Sequence, residues 1–430
     1  MPRKRYGLKI ALGVGIALLS CYLLFSWHAH LNLNHELELA RRAGLWTTFD
    51  DLAQRPTPPA DRNAAPIYTK ACRAFEAGLV NPNEPAPLPV LNALNTGGEP
   101  AFSEFYTRAD PFLREFERAA AMPECLFPRD RSSFTSMFKG ESWEPHDMWW
   151  ALKTVCTRAM LLSRHHHPVE ALDLMRRFAP MAHHAASDIE GNFQSIRMGD
   201  LVTDAIQTIL GAHGLEPHVT EEAKAALAAI GPPPDPLTVL RGDCLLTLFQ
   251  MNDPSARQSF NMGSSNFLRY LQGARDVWTS DVVHAFRASY AAVREVHSNA
   301  GVLLGRFREV EKRQGNVGFV FSGTIWYGEI ARAAARREAL ATLIAGLESW
   351  RRTGMCPTSL PVTDPRSIDP ITGGPVRFAK TPDGFKVWCI ATDGTDHTSP
   401  FVPTHGLLSA LDTVYSYPYV PPVRKTSRTW

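Results

Sequence analysis

Residues 147–186 read DMWWALKTVCTRAMLLSRHHHPVEALDLMRRFAPMAHHAA, and they decide the class of fold. Trp149, Leu152, Cys156, Ala159 and Ser163 recur at three- and four-residue spacing, which lines one face of a first helix with apolar or small side chains. Val169, Leu172, Met175, Ala179 and Ala182 do the same for a second. The joint is His165-His166-His167-Pro168. A proline is tolerated in the first turn of a helix because the amide it lacks would have no partner there. Two amphipathic helices joined this tightly lie back to back, so the stretch predicts an antiparallel helical hairpin.

The same periodicity runs outward from it. Upstream, Asp61-Arg62-Asn63 caps a helix carrying Ile67, Ala71 and Phe75, and Asp110 with Pro111 predicts the start of another with Phe112, Leu113 and Phe116. Downstream, helices are predicted over Ser195 to His213, from a Thr220 cap with Glu221 and Glu222 in its first turn to Gly231, and near 236–251, 280–312 and 329–352. The expected fold is mainly α, a body over 61–328 made of helical hairpins. Their succession suggests a repeat-like layout without a fixed period.

Ahead of this body stands Ile10 to Trp27, IALGVGIALLSCYLLFSW, with no charged side chain. As a helix it spans ~27 Å, close to the ~30 Å of a bilayer core. Arg3, Lys4, Arg5 and Lys9 fall in the basic segment 1–9, which argues that this side stays cytoplasmic and the body lies outside. The flank Trp27-His28-Ala29-His30 lacks an A-x-A cleavage site. Leu18-Leu19-Ser20-Cys21 resembles a lipobox, but Tyr22 to Phe25 continue the apolar run. Retention as a single-span anchor over 10–27 is the favoured reading, with cleavage or acylation of Cys21 as alternatives. Residues 28–60 read as a juxtamembrane linker in which leucines extend the anchor helix until Pro56, Pro58 and Pro59 stop it.

Beyond Arg352 the pattern changes. Pro375 to Phe378 and Phe385 to Ile390 flank Thr381-Pro382-Asp383-Gly384, two β-rich runs about a turn, so 329–402 is expected to be a helix plus a small C-terminal β-hairpin. The tail 403–430 reads as extended.

Composition narrows the classes of function. The chain has 430 residues, 44% hydrophobic and 20% charged, with a net charge of +2, so no basic footprint points to nucleic acid. Of seven cysteines, six lie outside the apolar stretch, and with no C-x-x-C pair they support neither a zinc ribbon nor a redox motif.

Several local patterns invite a chemical reading. His165, His166 and His167, with His183 and His184, are the most metal-like group, yet one continuous helix places the two sets about four turns, ~24 Å, apart. No H-E-x-x-H occurs. Ser136-Met137-Phe138-Lys139 matches S-x-x-K without the companion S-D-N or K-T-G. Arg241-Gly242-Asp243 spells an adhesion tripeptide but falls on a predicted helix. Trp143, Trp149 and Trp150, with Phe134 and Phe138, are candidates for a groove on the helical body.

The C-terminal segment carries a likeness. Leu347-Glu348-Ser349-Trp350-Arg351, Gly354, Pro357, Asp369-Pro370, Gly373-Gly374-Pro375-Val376 and Thr392-Asp393-Gly394-Thr395-Asp396 resemble the C-terminal half of type II secretion pseudopilins. They resemble more closely a class of uncharacterised, single-span, exported bacterial proteins with a long helical domain. Ala43 to Leu52 and Asn63-Ala64-Ala65 share in that likeness. It implies an architecture and an address, not an activity. It also implies that Asp393 and Asp396 are the positions at which calcium would bind, although two carboxylates supply a minority of the ~6 oxygens calcium needs. A pseudopilin would be processed after Gly7, but Leu12 stands where pseudopilins carry glutamate.

The expectation is a bacterial inner-membrane protein attached through Ile10 to Trp27. Its extracytoplasmic body would bind or scaffold an envelope protein or polymer, with no cofactor and no catalytic residue assigned. The alternatives are an envelope hydrolase or metal-dependent enzyme, or a minor pseudopilin-like secretion component.

Overall fold

The computed structural model describes residues 3–48, 50–51, 56, 58–79, 98–127, 144–186, 191–252, 272–296, 302–306, 309–310, 323–359, 368–390 and 413–418. The fold class is the expected one: mainly helical, with a small antiparallel sheet at the C-terminal end.

Helix α1 (Arg3–Ala43) contains 41 residues, about 62 Å of helix. Its first part is long and apolar enough to cross a membrane, and Leu12, Leu18, Leu24 and Trp27 are each 65–69% exposed. The helix continues past residue 28, as the leucines at 31, 33, 37 and 39 suggest. It also stops before the prolines. Gly44 adopts φ +96, and the amides of Gly44 and Leu45 donate to the carbonyls of Arg41 (2.9 Å) and Ala40 (3.0 Å). This is a Schellman end, closed by contact between the buried Leu45 and Ala40.

Ala29, Leu33 and Ala40 on α1 are buried where it packs along α10 (Gln272–Glu295). His30 faces Asp276 at 3.4 Å, Asn32 Nδ2 donates to Ser280 Oγ at 2.9 Å and Arg287 donates to Glu36 at 2.8 Å, so the two helices run parallel. With α9 (Pro236–Asn252) they enclose a second, smaller core of Leu240, Cys244, Leu248, Val282, Val283, Phe286 and Tyr290. Arg241, from the adhesion-like tripeptide, belongs to this joint. Its Nε donates to Gly44 O at 2.8 Å, its guanidinium donates to Tyr290 Oη, and it lies over the rings of Trp46 and Tyr290.

The main core lies in the stack of hairpins. Asn63 opens it by accepting from the amides of Ala65 and Leu126 and donating to Leu126 O. There follow α2 (Ala65–Leu79) and α3 (Glu99–Ala120), where Tyr68, Phe75, Phe102 and Phe116 are fully or almost fully buried. Asp110 and Pro111 do not start α3. Pro111 lies inside it, where the continuous buried stripe Phe102, Phe105, Ala109, Leu113 and Phe116 outweighs the amide hydrogen bond that the proline removes.

The predicted hairpin is α4 (Glu144–Arg164) and α5 (Pro168–Phe178), but its second arm breaks at Pro180 into a short α6 (Pro180–Ala185), and Val169 is exposed. Next come α7 (Gly191–His213) and α8 (Val219–Ala229). Thr220 is buried inside α8, and His218, at φ 64, occupies the cap position. The long α11 (Gly323–Thr353) follows α10. The expected helix over 280–312 begins earlier and ends at Glu295, with 302–306 forming a separate short turn.

The first helices of successive hairpins lie side by side and parallel. Trp149 on α4 meets Arg197 on α7, and the carbonyl of Ser163 meets His213 further along the same two helices. In the same sense α7 runs along α11, with Arg332 at Asp200 and Arg336 at Asp204. Thus α4, α7 and α11 follow one another side by side in the same direction.

In the C-terminal module the hairpin β1 (Arg377–Thr381) and β2 (Gly384–Cys389) gains a third strand, β3 (Thr413–Tyr417), in the order β1-β2-β3. Phe385, Trp350 and Tyr417 cluster where the sheet meets α11. Asp369 is fully buried. Its carboxylate accepts from Ile371 N (2.9 Å), Thr372 Oγ1 (3.0 Å) and Ile390 N (3.0 Å), tying the turn before β1 to the end of β2. Among the described residues, which include all seven cysteines, there is no disulfide.

Candidate functional site

The three adjacent histidines are exposed and point to separate partners. His165 Nε2 lies 2.6 Å from Glu99, His167 lies 3.9 Å from Glu170, and His166 makes the turn with φ 63. His183 and His184 follow the Pro180 break. Among the described residues no group of three or more His, Cys, Asp or Glu is placed to hold a metal. Asp393, Asp396, Ser136, Lys139, Trp143, Phe134 and Phe138 lie outside the described residues.

A cleft of about 320 Å³ opens beside Pro58, Pro123, Cys125, His183 and His184. Its histidine is already engaged: the Tyr68 hydroxyl is 2.9 Å from His184 Nδ1, and the backbone of Met122 takes the other hydrogen bond. Burial, with His183 beside it, pushes the imidazole down to about 4. A neutral ring tied to both Tyr68 and Met122 is a structural bridge rather than a proton shuttle.

The second candidate is a shelf formed by α4 and α7. His146, Trp149, Trp150 and Lys153 recur at three and four residues and so share one face of α4, while Phe193 and Arg197 share a face of α7. The parallel pairing of the helices brings the two faces together. Trp149 and Trp150 meet edge to face with centroids 4.7 Å apart, and His146 stacks on Trp149 at 6.4 Å. Lys153 Nζ lies 5.2 Å from the Trp149 ring and 5.3 Å from Trp150. Arg197 lies 5.1 Å from Trp149 and 5.3 Å from Phe193. Both cations thus rest on aromatic faces, whose quadrupole attracts positive charge by about 0.5–2 kcal/mol per contact. Burial, and then the charge of Arg197, lower the Lys153 pKa.

One step along the stack, the cations of α11 have carboxylates. Arg332 reaches Asp200 at 2.8 Å and Glu329, and Arg336 reaches Asp200 at 3.2 Å and Asp204. Lys153 and Arg197 form no ion pair with a carboxylate among the described residues. The tryptophans were legible as groove candidates; the two cations were not singled out. Their signal in the sequence is a basic residue four positions after an aromatic one, Lys153 after Trp149 and Arg197 after Phe193.

No protein family, curated protein or solved structure matches the chain.

Proposed function

We propose that the protein is a single-span, inner-membrane-anchored component of the bacterial cell envelope whose extracytoplasmic helical body binds or scaffolds a partner. The observation that carries this is the unbroken course of α1. Residues 12–27 expose an apolar surface that water disfavours, and the same helix then docks along α10 through Ala29, Leu33 and Ala40. Covering that surface with lipid leaves the body directly against the membrane. The basic residues Arg3, Lys4, Arg5 and Lys9 support a cytoplasmic N-terminal side.

The test is a fusion-reporter assay of topology on the full chain, together with deletion of residues 1–27. An extracytoplasmic signal from reporters placed after residue 28, lost from the membrane fraction on deletion, is the expected result. A cytoplasmic signal overturns the envelope role. Mass spectrometry of the purified protein separates retention from the alternatives, because acylation adds mass at Cys21 and pseudopilin-type processing removes the residues up to Gly7.

A further inference from the structure

We propose that Lys153 and Arg197, held across the furrow between α4 and α7, form a recognition site for the carboxylates of an acidic protein segment. The inference names the partner of the binding body proposed above and rests on that reading.

Three observations carry it. First, the two cations share the ring of Trp149, at 5.2 and 5.1 Å from its centroid, so two like charges are gathered at one place. Nothing among the described residues neutralises them, whereas Arg332 and Arg336 on the next helix pair are met by Asp200, Asp204 and Glu329. Like charges side by side repel, and an anion placed between them relieves that repulsion while accepting charge-assisted hydrogen bonds. The lowered pKa of Lys153 reflects the same crowding after burial is counted.

Second, the cations are held against aromatic rings. His146, Trp150 and Phe193 flank Trp149 and its cations, so the indole faces serve as a platform for the charges and not as a stacking surface for a sugar or a base. What remains to be met is the guanidinium fork of Arg197 and the ammonium of Lys153, both of which take oxyanions.

Third, the surroundings select among anions. Arg197 is exposed and Lys153 half-buried, so the shelf is open rather than an enclosed pocket able to surround a small molecule. A net charge of +2 gives no extended basic field for a long polyanion such as a nucleic acid. A short acidic stretch of polypeptide lying along the furrow satisfies both limits.

The experiment uses the full chain in detergent micelles and a fluorescent oligoglutamate peptide, with oligolysine as the control. Binding of oligoglutamate alone is expected. The K153A/R197A double variant should weaken it by at least about tenfold, as loss of two charge-assisted contacts implies. The K153R/R197K variant should retain it, and K224A on α8 should leave it unchanged. A second readout needs no substitution: oligoglutamate should protect Lys153 from an amine-acylating reagent, mapped by mass spectrometry. Failure of the wild type to bind, unchanged affinity in the double variant, or displacement of the peptide by inorganic phosphate at equal charge concentration would each overturn the proposal. A cytoplasmic reporter signal would remove the envelope role while leaving this measurement as it stands, so the two failures are distinguishable.

Discussion

The hydroxyl of Tyr68 lies 2.9 Å from Nδ1 of His184, joining α2 to α6 across the main core. Both side chains are buried, and the imidazole is held neutral, its pKa pushed from the ordinary 6.5 to about 4 by burial and by His183. The unfolded chain therefore binds a proton that the folded chain refuses in the window between these values. Stability is complete above 6.5 and falls as the pH drops towards 4, by up to about 3 kcal/mol at the lower end. His183, lowered by burial and by Arg337, acts in the same sense. Thermal melts across that window should show a decline that His184→Gln flattens; equal slopes in the two proteins would clear the imidazole of responsibility.

Asp369 accepts three hydrogen bonds inside a fully buried turn. Its removal strands the amides of Ile371 and Ile390. Asp369→Ala should cost about 2–5 kcal/mol, and Asp369→Asn less, because one acceptor oxygen survives. Denaturant titration gives the ranking, and an alanine variant as stable as the asparagine one would contradict it.

Gly384 starts β2 opposite the end of β3, where a methyl group would overlap the carbonyl oxygen of Tyr417. Gly384→Ala should loosen β3 while leaving the helices intact. Hydrogen exchange is the suitable measurement: amides of 413–417 should lose protection, and those of α7 should keep theirs.

Arg241 joins three elements, donating to Gly44 O and to Tyr290 Oη from α9. Arg241→Ala leaves the Gly44 carbonyl and the Tyr290 hydroxyl short of a donor, so limited proteolysis should open the chain near residues 44–48 sooner than in the wild type. Cleavage at an unchanged rate would show that the Schellman end holds α1 without help.

The helices and their buried faces were legible because burial follows the helical period: Leu152, Cys156, Ala159, Leu172 and Met175 are all fully buried. Boundaries were less legible where two local rules compete. Pro111 reads as a start, yet α3 runs through it on the strength of Phe102 and Phe105. Pro180 lies in an equally regular stripe, yet the helix breaks there. Gly44, not the prolines after it, ends α1 because Leu45 can fold back onto Ala40. The third strand was hidden by its distance in sequence, since β3 pairs with β2 across more than twenty residues. The aromatic half of the candidate site was visible on α4, but Lys153 and Arg197 meet only through the parallel packing of α4 and α7, which no local pattern encodes.

The absence of a joint in α1 has a mechanical meaning. A flexible tether lets a domain sweep a hemisphere and meet partners at any height, at an effective concentration set by the length of its linker. A stiff post fixes height and heading instead. On the proposed topology, the body presents the furrow between α4 and α7 at one level above the bilayer, turning only about the membrane normal. An acidic segment would then be met by lateral diffusion in the plane of the membrane or from a layer at that height, so geometry as well as charge would choose the partner.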